Sequence, residues 1–266
     1  MSNLSPEAQR LVDSLAKKEK LVALLAPSFP IDFDPATIAA ELKSLGFTHI
    51  VEVSAGAVET NRQLLTLLKE NPQARYITSP CPTLVRLIRK KYPQLVKFLS
   101  PTDSPMVATV KIVKEKYSGY RPVFIGPCLV KKLEASEDYP DLNLLVLTYK
   151  ELIQVMESLG RKTGELKEVS GFDVIETTTR LYPISGGLAQ SAKVKDYLAE
   201  DEYLVVSGLR EVEAALAEFE VNIKIRLLDV LFCEGGCIGG PGIASKLSLT
   251  DRRDRITRFW QDGIQS

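Results

Sequence analysis

The residues of this 266-residue chain best equipped for chemistry are its four cysteines, Cys81, Cys128, Cys233 and Cys237. A thiolate is a nucleophile and a soft-metal ligand, so the sequence around each one decides which use is open to it. Cys81 stands in Thr78-Ser79-Pro80-Cys81-Pro82, after a short strand pattern and before a helical one. Cys128 stands in Gly126-Pro127-Cys128-Leu129-Val130-Lys131-Lys132, again just past a strand pattern. Cys233 and Cys237 share the loop Phe232-Cys233-Glu234-Gly235-Gly236-Cys237-Ile238-Gly239-Gly240-Pro241-Gly242, a spacing that returns both sulfurs to one centre within a tight turn. Its glycines permit positive φ angles and close backbone approach, and they leave N–H groups free to point at anionic sulfur. Four thiolates complete the ligand set of a 4Fe-4S cluster. Structural zinc also takes four cysteines, usually as two closely spaced pairs, and this chain has one such pair. Four unrelated buried cysteines, acting as small core residues, are the third reading.

The elements that must position these sulfurs alternate between short aliphatic runs and longer amphipathic stretches, the pattern of an α/β fold with parallel strands and crossover helices. Strands are expected at residues 21–25, 49–53, 75–78 and 123–125, separated by helices at 34–45, 59–69, 82–91 and 107–116. These form a first lobe over about 20–140. A strand at 144–147, a helix at 149–159, a strand at 203–207, a helix at 211–218 and a strand within 223–232 form a second lobe over about 141–245. A C-terminal helix is expected over about 248–266, and the polar stretch 158–171 is the best place for a hinge or insertion. The whole chain is expected to be one domain. Cysteines at strand ends lie where open α/β sheets build their sites.

Composition narrows the function classes. With 34 basic and 34 acidic residues and 45% hydrophobic content, the chain has no global attraction for nucleic acid or an anionic membrane. No run of 18 apolar residues occurs, so no membrane span is expected. Residues 1–20 mix charges with apolar residues and lack the apolar core of a secretion signal, which predicts a cytoplasmic protein with reduced thiols. His49, the single histidine, sits among strand residues and is expected to be packed or hydrogen-bonded.

The cysteine motifs resemble a known family. Thr78-Ser79-Pro80-Cys81-Pro82, Pro127-Cys128-Leu129-Val130-Lys131-Lys132-Leu133-Glu134 and Cys233-Glu234-Gly235-Gly236-Cys237-Ile238-Gly239-Gly240 are similar, in order, to the three signature motifs of the H-cluster domain of FeFe (iron-only) hydrogenases. Ala26-Pro27-Ser28, Ser104-Pro105-Met106, Gly186-Gly187-Leu188 and Ser207-Gly208-Leu209 match as well. The resemblance implies two lobes, each with a roughly four-stranded parallel sheet flanked by helices, and a cluster between them. It implies that Cys81, Cys128, Cys233 and Cys237 hold a 4Fe-4S cluster, with Cys237 bridging to a di-iron unit that carries CO, cyanide and a dithiolate. Lys131 matches the donor to one iron-bound cyanide, and Ser28 with the Pro27 backbone matches the contacts to the other. Lys132 is expected to be a solvated charge at a helix start. The implied activity is H2 evolution, oxidation or sensing, supported by maturation proteins.

The sequence departs from active members at the proton relay. Pro80 stands where they carry a cysteine, Gly126 and Leu231 replace flanking methionines, and Asn61, Arg62 and Gln63 occupy the place of relay carboxylates, with Glu59 the nearest acid. These losses weaken proton transfer more than cluster binding, and the combination is similar to the divergent branch associated with sensing, with slow turnover. A second reading is a non-catalytic 4Fe-4S protein, like the hydrogenase-like factors of cytosolic iron–sulfur assembly. No cysteine is left for accessory clusters, so electrons are expected from a ferredoxin or a separately encoded subunit. Arg86, Arg89, Lys90, Lys91 and Lys97 form a basic stretch that could dock such a partner or simply be solvated.

Overall fold

The computed structural model describes residues 4–164 and 170–265 and carries two parallel sheets. The first is built from β1 (Leu21–Leu25), β2 (His49–Glu52), β4 (Arg121–Gly126) and β5 (Leu145–Thr148), in the order β2-β1-β4-β5. All five residues of β1 are buried, as a strand covered on both faces must be. The second sheet is built from β3 (Tyr76–Ile77), β6 (Tyr203–Ser207) and β7 (Leu227–Leu231), in the order β3-β7-β6.

Helices cover these sheets. In chain order they are α1 (Pro6–Ala16), α2 (Ile38–Leu45), α3 (Ser54–Glu70), α4 (Pro82–Lys91), α5 (Pro105–Lys116), α6 (Lys131–Leu133), α7 (Tyr149–Ser158), α8 (Gly187–Ser191), α9 (Leu209–Val221) and α10 (Leu249–Gln265). Several begin on legible caps. Ser5 accepts the Ala8 N–H ahead of α1 (3.2 Å), Ser104 caps α5, and Thr148 with Glu151 forms a reciprocal capping box for α7.

The α/β class stands, and three features differ from expectation. The second sheet has three strands among the described residues, where the resemblance implied about four. The strand at 76–77 pairs with β7, and the strand at 145–148 pairs with β4, so a division of the chain near residue 140 does not separate the sheets. Parallel pairing is set by contacts far apart in sequence, which local pattern does not encode. The third difference is that α3 starts five residues earlier than expected. Gly56 lets α3 lie directly against the Pro105 carbonyl and Thr109 of α5, which turns a small-residue run into a packed helix start. Residues 165–169 of the expected hinge at 158–171 lie outside the described residues.

A buried ion pair ties the C-terminal helix to the first sheet. Glu52, at the end of β2, accepts from Arg180 at 2.6 and 3.0 Å and from Ser54 at 2.9 Å. Arg180 in turn stacks on Phe259 of α10, 3.9 Å from the ring centroid. His49 is packed as expected, stacked on Tyr117 at 3.9 Å and 3.3 Å from Asp173.

Candidate metal centre at the meeting of the two sheets

In the first sheet the chain leaves β1 and crosses over to opposite sides, toward β2 and toward β4, so the β1/β4 boundary is a switch point. Open α/β sheets form a crevice at the carboxyl ends of strands at such a point. Pro27 and Ser28 follow β1 there, and Pro127 and Cys128 follow β4. The two loops start side by side because Leu25 and Ile125 are in register and Ala26 N–H donates to Ile125 at 2.9 Å.

The second sheet repeats the device. Ile77 of β3 is in register with Leu228 of β7, and Thr78 N–H donates to Leu228 at 2.9 Å. Cys81 and Cys233 therefore leave neighbouring strand ends together. Cys81 sits just ahead of α4, and the backbone N–H groups of Phe232 and Leu84 reach its sulfur.

Cys237 closes the set by carrying the glycine loop back toward the first sheet. Gly235 and Gly236 have φ of +71° and +102°, a region that disfavours side chains. A Cβ on Gly236 would meet the Pro183 carbonyl at 2.5 Å, because this residue bridges to Ile184. Farther on, Gly242 N–H donates to Pro127 at 2.8 Å. Asp32 accepts the Ala244 and Ser245 N–H groups at 3.0 and 2.6 Å, and Arg252 of α10 donates to the Ile238 and Ser245 carbonyls at 2.9 and 2.6 Å. The cysteine loop is thus held at both ends by polar contacts.

The sulfurs lie close enough together that neighbouring cysteines, Cys128 among them, oppose the ionisation of Cys81, Cys233 and Cys237. Burial, then the neighbouring cysteines, pushes Cys237 well above the ordinary thiol range and Cys233 up to about 12. Cys81 is also raised, chiefly by burial, with Cys128 adding to it and Lys131 opposing it. Cys81, Cys233 and Cys237 therefore resist ionisation, and a cationic metal would compensate the charge of thiolates gathered here. A single ion needs its sulfurs about 2.3 Å away, and among the described residues no three His, Cys, Asp or Glu side chains are set to hold one ion.

A cavity of about 80 Å³ lies against Cys128 and Cys237. Pro27, Ser28, Pro80, Met106 and Lys131 line it, together with apolar side chains that include Phe124 and Leu231. Lys131 is 8% exposed and faces the cavity, which sets it apart from a solvated charge at a helix start. Its ammonium lies 2.6 Å from Glu134 and donates to the Pro80 carbonyl at 3.1 Å. Ser28 is fully buried, 2.7 Å from the Tyr149 hydroxyl, which donates to the Ala26 carbonyl at 2.9 Å. Gly126 has no room for a side chain because the Phe124 ring would stand 2.6 Å from its Cβ. The ring and Leu231 form the wall at the positions where the resemblance has methionines.

Other expectations are corrected. Lys132 is not a solvated charge: it pairs with Glu7 at 2.8 Å and Glu151 at 2.6 Å, fastening α1 to α7. The basic stretch is largely neutralised within the chain. Arg86 pairs with Glu137 and Asp138, Arg89 with Asp138, and Lys91 with Glu213. Glu59 is clasped by Arg62 at 2.6 Å and does not line the cavity. Asp229, which sequence reasoning passed over, is the one carboxyl on the cavity wall among the described residues. A lone acid inside the apolar run Leu227-Leu228-Asp229-Val230-Leu231 was the available signal.

Residues 19–241 match the family model described as "Iron only hydrogenase large subunit, C-terminal domain". The chain belongs to this family. It is 28% identical over 189 residues to the cytosolic Fe-S cluster assembly factor NAR1 of Encephalitozoon cuniculi, covering 62% of this chain and 51% of the relative. It is 25% identical over 256 residues to iron hydrogenase 1 of Clostridium pasteurianum, covering 77% of this chain and 45% of the relative. The chain spans about half the length of these curated relatives. Its fold is that of a solved apo variant of [FeFe]-hydrogenase HydA1 from Chlamydomonas reinhardtii, with a TM-score of 0.73, 18% identity, and coverage of 96% of this chain and 88% of that one. Among the described residues no helix is long and apolar enough to cross a membrane.

Proposed function

We propose that this hydrogenase-family domain is an iron–sulfur oxidoreductase in which Cys81, Cys128, Cys233 and Cys237 hold a 4Fe-4S cluster, and in which the adjoining cavity accepts a di-iron unit bridged through Cys237. The observation that carries this reading is that Pro27, Ser28, Lys131 and Cys237 line one cavity, although they come from separate loops and helix starts. One close cysteine pair with two distant cysteines suits a 4Fe-4S cluster better than structural zinc, which usually takes two close pairs. When bound, the group would supply the interconversion of H2 with two protons and two electrons.

The chain's own residues orient and enclose. Lys131 has three donors; it donates one hydrogen bond, to the Pro80 carbonyl, and pairs by charge with Glu134, which leaves donor capacity for an anionic ligand in the cavity. The Tyr149 proton points at Ala26, so Ser28 donates to Tyr149 and turns lone pairs toward the cavity. For Ser28 to donate to a bound anion, this hydroxyl pair must reverse. Phe124, Leu231 and Met106 exclude water from the wall. Pro80 supplies no acid or base at its own position, which slows turnover relative to a cavity with a thiol there, as fits a sensing role. Electrons come from a ferredoxin or separate subunit, assembly depends on hydrogenase maturation proteins, and the protein works in the cytoplasm.

The same Pro80 favours a second reading, a 4Fe-4S assembly factor without the di-iron unit. Anaerobic purification with co-expressed maturation proteins, followed by iron counting and infrared spectroscopy, separates the two. Bands of iron-bound CO and cyanide support the first reading, and about four irons without them support the second.

A further inference from the structure

Asp229 sits in the middle of β7, where alternation sends Leu227, Asp229 and Leu231 to one face of the sheet. Leu228 and Val230 take the other face, in the core formed with α4 and α9. The carboxyl group is 3% exposed and meets only neutral partners: Oδ2 accepts the Ala189 N–H at 3.2 Å, and Oδ1 accepts the Thr78 hydroxyl at 3.4 Å. No ion pair to it occurs among the described residues. A buried carboxylate with no cation is an expensive thing to keep in a strand, and this one faces a cavity.

We propose that Asp229 is the acid–base group that exchanges protons with the reacting atoms in this cavity, in place of the thiol that Pro80 does not supply. The proposal rests on reading the cavity as the di-iron site. In H2 evolution the protonated carboxyl releases one proton to the cavity and becomes a carboxylate, then regains a proton from water. Two such exchanges supply the two protons of one H2, and a one-electron donor protein supplies the two electrons. Oxidation reverses each exchange.

Burial pushes the Asp229 carboxyl up to about 6, near the pH at which a proton donor works best. The other titratable groups lining the cavity are Tyr182, Lys131, Cys128 and Cys237. Burial holds Tyr182 well above the ordinary phenol range, with Asp229 adding to it, and its hydroxyl donates to Asn61 at 2.8 Å. Glu134 matches the Lys131 charge. The cysteines are assigned to metal. Asp229 is the one group left to carry protons.

The test compares matured parent protein with Asp229→Asn and Asp229→Glu at equal iron content. The infrared C=O stretch of a protonated carboxyl should vanish between pH 5 and pH 8 in the parent and be absent from Asp229→Asn. H2 turnover should fall about 10² to 10⁴-fold in Asp229→Asn and be partly retained in Asp229→Glu. The pH profile should lose its inflection in Asp229→Asn. Unchanged turnover and profile in Asp229→Asn, with iron-bound CO and cyanide bands intact, would overturn the role of Asp229 alone. Absence of those bands in the parent would overturn the reading of the cavity, and the proton role with it.

Discussion

The N–H of Gly242 donates to the carbonyl of Pro127 at 2.8 Å, and this bond joins the cysteine loop of the second sheet to the residue before Cys128 in the first. The two sheets bring two pairs of strand ends to the same region, and the glycine loop connects them. A Cβ on Gly242 would stand 2.8 Å from the Pro127 oxygen and 2.8 Å from two atoms of Thr148, which is buried.

Gly242→Ala is therefore expected to move the loop rather than be absorbed. Overpacking of this kind costs about 1–3 kcal/mol, and the shift separates Cys237 from Cys128. Iron per chain after anaerobic reconstitution should drop well below that of the parent, with a lower melting temperature. Full iron loading in Gly242→Ala would show that the loop position does not matter to the centre.

The parent itself should bind about four irons through Cys81, Cys128, Cys233 and Cys237. Serine at any one of these positions should reduce iron content and iron–sulfur absorption, because a hydroxyl is a poorer soft-metal ligand than a thiolate. Zinc occupancy with no iron–sulfur absorption in the reconstituted parent would contradict the assignment.

The cysteine loops were legible in the sequence because proline and glycine mark strand ends and turns directly, whatever the rest of the fold does. The strand partners of residues 76–77 and 145–148 were not, since a parallel pair is stabilised by residues distant along the chain. Lys132 illustrates the same limit. Its partners Glu7 and Glu151 lie on α1 and α7, and nothing in the local Lys-Lys pattern announces them. Lys131 is similar to its neighbour in sequence and differs from it only in the face that α6 presents to the cavity.

Lys131→Ala should lower retention of the di-iron unit while leaving the 4Fe-4S cluster largely in place. The change removes a charge-assisted donor and no metal ligand. It also leaves Glu134, 6% exposed, without its cation, a loss of about 3–5 kcal/mol when a buried pair is broken. Lys131→Met/Glu134→Gln removes both charges and tests the donor separately from that penalty. Arginine should not rescue fully, because its planar fork differs from an ammonium point charge. Equal infrared bands in parent and both variants would show that the ammonium does not serve the cavity.

Asp229→Asn makes a prediction about stability that needs no cofactor. Burial raises the folded-state carboxyl to about 6 from 3.8, so between these values the folded chain binds more protons than the unfolded one. Stability then falls as pH rises through this window, and above about pH 6 the full penalty of roughly 3 kcal/mol is present. Asparagine carries no such penalty. The melting temperature of metal-free Asp229→Asn relative to parent should rise by several degrees between pH 4 and pH 8. A difference that stays constant with pH would show that the carboxyl is not perturbed by burial.

Pro80→Cys places a thiol on the cavity wall, next to the carbonyl that receives Lys131. The backbone carbonyl survives the substitution, so the Lys131 contact is retained, and the new thiol adds a second acid–base group to the cavity wall that Asp229 already lines. Turnover should rise, but only in part. On α3, where the resemblance implies upstream acids, this chain presents Asn61 and Gln63; Asn61 accepts from Tyr182, and Gln63 donates to Asp103. A thiol with no carboxylate behind it is reprotonated from the cavity side or through water. In Asp229→Asn/Pro80→Cys the thiol should recover some of the activity that the asparagine removes, if both groups deliver protons to the same place. The measurement is H2 evolution with a chemical reductant at equal di-iron content for parent, single variants and the double variant. A parent rate unchanged by Pro80→Cys would mean that proton delivery does not limit this chain, and slow turnover would then need a different cause.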